Sequence, residues 1–149
     1  MREILFRGKR MDNGEWLVSG TLLQSSDDER FCWMPVYGDK FGTAEDDKGN
    51  ILRMEYGTLY RVDPATVGQY TGLKDKNGKR IFEGDIVRVQ DNLIFSPFCD
   101  GLVGKVVYIE TAFFIEPKDP TKSEYLFNEC AVYEVLGNIH DNPELMEVR

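Results

Sequence analysis

Histidine is nearly absent: His140 is the only one in 149 residues. Cysteine is scarce and odd in number, with Cys32, Cys99 and Cys130 far apart. Neither pattern fits a structural zinc site, which takes four nitrogen or sulfur ligands at short spacings. A Cys–His nucleophile would have one base to draw on. That base stands in the turn-like stretch Gly137-Asn138-Ile139-His140-Asp141-Asn142-Pro143, and nothing in the sequence places a nucleophile beside it. A phosphate-cradling glycine loop, a nucleophile elbow and a zinc-protease helix signature are also missing. No apolar run approaches the ~18 residues of a membrane-spanning helix. The opening Met1-Arg2-Glu3-Ile4-Leu5-Phe6-Arg7 is too charged for a signal peptide. Three reduced thiols and a cytoplasmic location are therefore expected. Basic residues are in deficit, 18 against 26 acidic ones, for a net charge of −8. Such a field repels phosphate, which disfavours nucleic acid and anionic membranes as partners.

What is present is an ordinary globular composition, 42% hydrophobic and 30% charged, at about one domain's length. Strand and turn signals dominate. Asn13-Gly14 between Ile4–Arg10 and Trp16–Leu23 predicts a hairpin with a type I′ turn, whose two central residues both need φ > 0. Phe31-Cys32-Trp33-Met34-Pro35-Val36-Tyr37 reads as an aromatic strand at a sheet edge, because Pro35 limits ladder pairing. The acidic stretches Gln24–Arg30 and Gly38–Asn50 read as surface loops. Glu45, Asp46 and Asp47 lack the alternating spacing of an EF-hand. Ile51–Tyr56 and Thr58–Val62 follow as strands. Asp63-Pro64 has a capping residue before a first-turn proline, which predicts a short helical turn and a subdomain boundary. Asn77-Gly78 and Glu83-Gly84-Asp85 mark two more turns, and Ile86–Val89, Leu102–Glu110, Ala112–Ile115 and Ala131–Leu136 supply further strands. Asp141-Asn142-Pro143-Glu144 predicts a short C-terminal helix or turn. The fold class is thus mostly β, with an N-terminal hairpin and sheet region before a small SH3-like barrel. Residues 1–65 form a β-rich subdomain with acidic insertion loops, and residues 66–149 the barrel. Their net charges, −3 and −5, do not separate a basic module from an acidic one.

Three pieces of the chain together resemble the YopX family of phage and prophage proteins. They are Phe6-Arg7-Gly8-Lys9 leading to Trp16, the long run Gln69–Val87 (QYTGLKDKNGKRIFEGDIV), and Val135–Leu145 (VLGNIHDNPEL). Gln24 to Tyr60 has no counterpart and reads as a variable insertion. The resemblance implies a mostly-β protein with a small barrel in its C-terminal half, working in the cytoplasm of a bacterial host. It brings no catalytic residues, cofactor or metal. Gly72, Gly78, Gly84 and Gly137 stand where turns ask for φ > 0, so the motifs read as fold determinants.

A non-enzymatic binding or adaptor protein for a host or phage protein is the favoured function. Aromatics reach 12%, and Trp16, Phe82, Phe113 and Phe114 are expected in the core. The alternative is nucleic-acid binding. It rests on Lys74, Lys76, Lys79 and Arg80, the one local basic cluster, with Tyr70 nearby. An enzyme is the least favoured reading, since Glu83 and Asp85 flank Gly84 as turn residues would. The apolar Phe31–Tyr37 edge predicts a symmetric homo-oligomer, with burial beneath the acidic insertion loops as the alternative.

Overall fold

The computed structural model describes residues 2–25, 32–37, 42–45, 51–54, 57–90, 101–126 and 131–147. Among them every regular element is a strand or a single 3-10 turn, and none is a helix long and apolar enough to cross a membrane. The chain divides into two compact units, residues 3–69 and 70–149.

In the first unit, β1 (Phe6–Lys9) and β2 (Trp16–Ser19) form the expected antiparallel hairpin. Its turn is not the two-residue type I′. Arg10 N–H donates to Glu15 O at 2.9 Å and Gly14 N–H to Arg10 O at 3.0 Å. Four residues thus make the loop, and Gly14 alone is left-handed, at φ 73°. Asn13 instead accepts the Glu15 N–H through its side chain at 3.0 Å, an Asx contact that removes the need for a second positive φ. A five-stranded antiparallel sheet follows, in the order β3 (Leu23–Gln24), β4 (Cys32–Tyr37), β7 (Gly57–Val62), β6 (Ile51–Met54), β5 (Gly42–Glu45). Strand β5 occupies part of the stretch expected to be an acidic loop, while Asp46 and Asp47 lie outside the described residues.

The expected edge strand is not an edge along its whole length. β4 pairs β7 from Cys32 to Tyr37 and β3 at Cys32 and Trp33. Cys32, Met34 and Val62 form the buried core of this unit, packed by Phe6, Leu17, Leu22 and Val67, and Pro35 is buried too. Phe31 lies outside the described residues. After β7, Asp63 caps the 3-10 turn Pro64–Thr66 by accepting Ala65 N–H at 3.0 Å. β8 (Gly68–Lys74) starts here, and its Gly68 and Gln69 pair with Arg7 and Phe6.

In the second unit the rest of β8 forms a hairpin with β9 (Arg80–Phe82). Five strands then make a curled antiparallel sheet, a half-barrel consistent with the small barrel expected. Their order is β13 (Glu124–Tyr125), β12 (Ala112–Glu116), β11 (Val103–Ile109), β10 (Asp85–Gln90), β14 (Val132–Asn138). β-branched residues favour these pleated runs, and their inward positions Val87, Val89, Val106, Ile115 and Tyr133 fill one core together with Ile81 of β9. Phe82 is buried and stacks on Tyr70 at 5.5 Å. Phe113 packs on the core as expected. Phe114 does not: it points to the opposite face and stacks on Tyr125 at 4.5 Å. Gly72, Gly78 and Gly84 have φ between 79° and 90°. Gly137 has no positive φ. It is a glycine because a Cβ there would collide with the Asn142 side chain. The chain closes on a 3-10 turn, Pro143–Met146.

Candidate functional site

The Asp75–Lys79 turn is a type I turn closed by a left-handed glycine. Gly78 N–H donates to Asp75 O at 3.0 Å and Asp75 N–H to Lys79 O at 2.8 Å. Its anchor is the Asp75 carboxylate, which is buried. One oxygen accepts Asn77 N–H at 2.8 Å and Lys79 N–H at 2.9 Å. The other accepts Val135 N–H, on the far strand β14, at 3.1 Å. Lys76 N–H donates to Tyr133 O at 2.8 Å. The turn therefore covers part of the free edge of β14, a backbone row that would otherwise be open to water or to another chain. Burial raises the Asp75 pKa. The three backbone N–H groups, from Val135, Lys79 and Asn77, and the Lys79 charge outweigh it, so the net shift is downward.

The four expected basic residues do not form one uniform patch. Lys74, Lys79 and Arg80 stay at the surface, and Arg80 lies 5.8 Å from the centre of the Tyr70 ring. Lys76 turns to Glu134 instead. Its Nζ is 3.5 Å from Glu134 Oε2 and donates to Gln90 Oε1 at 3.2 Å. Arg88 Nη1 at 3.5 Å and Gln90 Nε2 at 3.0 Å approach the same Glu134 oxygen. Two cations and an amide thus already share one carboxylate. This partnership is not legible in sequence, because Lys76 and Glu134 are brought together by the β14 pairing alone.

Of the residues weighed for acid–base chemistry, Asp85 is 1% exposed and accepts Phe82 N–H at 2.8 Å, a turn-fixing role. His140 N–H donates to Asn138 Oδ1 at 3.0 Å, and Asp141 N–H to the same oxygen at 2.9 Å. Asn138 so holds the Gly137–Pro143 turn as an Asx residue.

The outer face of the half-barrel carries a second feature. On β11 and β12, residues two apart share a face. Val107 pairs with Phe114, Ile109 with Ala112, and Tyr125 on β13 with Phe114. The result is an apolar shelf turned away from the core, with Tyr125 66% and Ile109 44% exposed. One step along the same face, Lys105 and Glu116 oppose each other in an ion pair of 3.4 Å. Past it lies a cleft of about 340 Å³. Sequence reasoning misses the shelf, since periodicity shows that Phe113 and Phe114 face opposite ways but not which way is inward.

The chain is similar to protein EF1440 from Enterococcus faecalis, whose crystal structure superposes with a TM-score of 0.53 at 26% sequence identity, covering 96% of this chain and 97% of that one. No curated protein matches the chain. The family model described as YopX protein matches residues 5–147, from the start of the first hairpin to the last 3-10 turn. With nearly its whole length matched, the chain belongs to the YopX family.

Proposed function

We propose that this chain is a non-enzymatic adaptor of phage or prophage origin, acting in the bacterial cytoplasm, that holds a protein partner on the outer face of its half-barrel. The observation carrying this reading is the shelf of Tyr125, Phe114, Val107 and Ile109. The sheet's other face is a filled core, so among the described residues no internal packing accounts for a second apolar face. Tyr125 is exposed and Phe114 half-buried beside it, and exposed aromatic side chains are enriched at interfaces. The net charge of −8 favours a protein partner over a nucleic acid.

The test is a photo-crosslinking benzoylphenylalanine at position 125, activated in bacteria that carry the phage or prophage. A nuclease-resistant adduct with a second polypeptide is the expected result. An adduct at twice 17.1 kDa identifies the partner as a second copy, the homo-oligomer expected from sequence, now without the support of the buried β4. Nuclease-sensitive adducts, or none at full expression, overturn the reading.

Nucleic acid at the turn is the second reading. It keeps one observation in its favour: Lys74, Lys79 and Arg80 remain at the surface of a turn held rigidly by Asp75.

A further inference from the structure

Seven asparagines occur in the chain, and four of them, Asn13, Asn77, Asn138 and Asn142, lie within the described residues. An asparagine amide is open to attack by the backbone nitrogen of the next residue, which closes a five-membered ring. The attack needs an N–H on that next residue, little bulk beside it, and an asparagine side chain at liberty to turn back onto the backbone. Pro143, after Asn142, has no N–H. Ile139, after Asn138, is β-branched, and the Asn138 side chain is held by the N–H groups of His140 at 3.0 Å and Asp141 at 2.9 Å. Asn13 and Asn77 each precede a glycine at which an added Cβ would meet nothing within 4 Å. The two glycine N–H groups are alike as well: Gly14 donates to Arg10 O and Gly78 to Asp75 O, both at 3.0 Å. What separates the two sites is the asparagine itself. Asn13 Oδ1 accepts Glu15 N–H at 3.0 Å, which fixes that side chain. Asn77 is exposed and spends only its backbone N–H, on Asp75. Its side chain makes no hydrogen bond among the described residues.

We propose that Asn77 is a site of spontaneous modification, at which the chain converts its own asparagine to isoaspartate and so loosens the cover on β14. The Gly78 nitrogen gives its proton to solvent base and bonds to Asn77 Cγ. The Cγ–Nδ2 bond breaks, and ammonia leaves with a proton taken from water. Water then adds to one carbonyl of the ring, and the ring C–N bond at that carbonyl opens. One water is consumed and one ammonia released, with no change of oxidation state. Opening on the main-chain side leaves Gly78 joined through the side-chain carbon, so the backbone gains a methylene between residues 77 and 78. That extra length displaces the Gly78 and Lys79 N–H groups, which close the turn on Asp75 O and the Asp75 carboxylate. The product also carries a carboxylate in the same turn as buried Asp75, and like charges this close repel. Both effects act on the group whose other oxygen accepts Val135 N–H at 3.1 Å. The turn's second tie, Lys76 N–H to Tyr133 O at 2.8 Å, is strained with it. The β14 edge is thereby uncovered as the protein ages.

The test is incubation of the full chain at mildly alkaline pH, folded and in urea. Peptide-level mass spectrometry reads conversion of amide to acid, and an isoaspartyl methyltransferase reads the rearranged product. In the folded chain residue 77 is expected to convert about two- to tenfold faster than residue 13, the factor that one net hydrogen bond imposes on Asn13. In urea the two rates are expected to converge, since both sites are then unstructured Asn-Gly. Hydrogen exchange compares converted with fresh protein. The Val135 amide is expected to exchange about tenfold faster or more once its charged acceptor is disturbed. Asn77→Gln is the control: it keeps the backbone N–H, closes its larger ring far more slowly, and is expected to retain slow Val135 exchange throughout. Equal rates at 13 and 77 in the folded chain, conversion at 77 in urea alone, or unchanged Val135 exchange in the converted protein overturns the proposal.

Discussion

Asp75 and Val135 are 60 residues apart in the chain and joined by one hydrogen bond, from the Val135 N–H to the Asp75 carboxylate at 3.1 Å. A side chain thus serves the edge of β14 as a neighbouring strand would, and it comes from the turn that reads in sequence as a solvated basic loop. Hydrogen bonds to a buried charged group contribute about 1.5–3 kcal/mol each, well above the mean for neutral pairs. Asp75→Ala is accordingly expected to lower unfolding free energy by about 2–4 kcal/mol, since it leaves three N–H donors to find other acceptors. Urea denaturation measures it. An unchanged midpoint would show that water replaces the carboxylate without loss.

The pH dependence follows from the sign of the shift. The folded pKa of Asp75 lies below its ordinary value, so its contribution is fully present above the unfolded pKa near 4 and is lost as pH falls through the folded one. The stability gap between the wild type and Asp75→Asn is expected to be constant from pH 7 to about 5 and to narrow below about pH 4. A gap that widened on acidification would mean that burial outweighs the three N–H donors and raises the folded pKa.

Two glycines respond differently to alanine. At Gly104 an added Cβ would stand 2.7 Å from Ile115 Cγ2 and 2.8 Å from the Glu116 backbone, which cannot give way without moving β12. Gly104→Ala is expected to cost about 3 kcal/mol or more, at the upper end of overpacking. At Gly14 there is open space but φ is 73°, and Gly14→Ala is expected to cost about 1 kcal/mol through backbone strain alone. Thermal melts of the two variants rank them. The reverse order would mean that β12 yields more easily than the hairpin loop.

Cys32 is 2% exposed, and burial pushes its thiol pKa upward. Thiolate is the reactive form, so alkylation of Cys32 in the native protein is expected to be slow and to become complete on denaturation. Peptide-level mass spectrometry reads it residue by residue. Rapid native labelling would contradict the burial of β4. Cys99 and Cys130, expected to be reduced as well, lie outside the described residues.

If the turn binds nucleic acid, Lys76→Glu with Lys79→Glu should weaken it and flatten its salt dependence, since each lost phosphate contact releases fewer counterions. The expected outcome is that the wild type already shows no salt-dependent affinity for a single-stranded oligonucleotide in fluorescence anisotropy. Tight, salt-sensitive binding lost in the double variant would promote the second reading above the first.

Local chemistry is legible in the sequence where it is settled within a few residues. Asp63-Pro64 announces its cap, Asn77-Gly78 its turn and Ile86–Val89 its strand, because each depends on φ preferences and side-chain reach over one turn. β8 carries no such strand signal, since Gly68 and Gly72 interrupt any alternation. The Asn13-Gly14 turn type fails for a related reason: the Asn13 side chain supplies a hydrogen bond that the dipeptide preference does not encode. Phe114, Lys76 and the Phe31–Tyr37 strand mislead because their roles depend on partners about ten to sixty residues away. Composition does not say which strand will arrive beside which. The cleft has the same origin, since the strands and turns that line it meet only through the order of the half-barrel.

β14 is the last strand of the chain, yet it pairs with β10 along its length and receives the Asp75 turn on its other side. During synthesis the β8–β9 hairpin therefore emerges well before the strand that completes it. Its carboxylate waits in water, and β10 waits with one side unpaired, until residue 138 has been made. Closure of this unit is thus a late, long-range event of the kind that sets slow folding rates. Any chain cut short before Val132 is left with an open β10 edge, a handle for proteolysis or aggregation that is withdrawn only once β14 has paired.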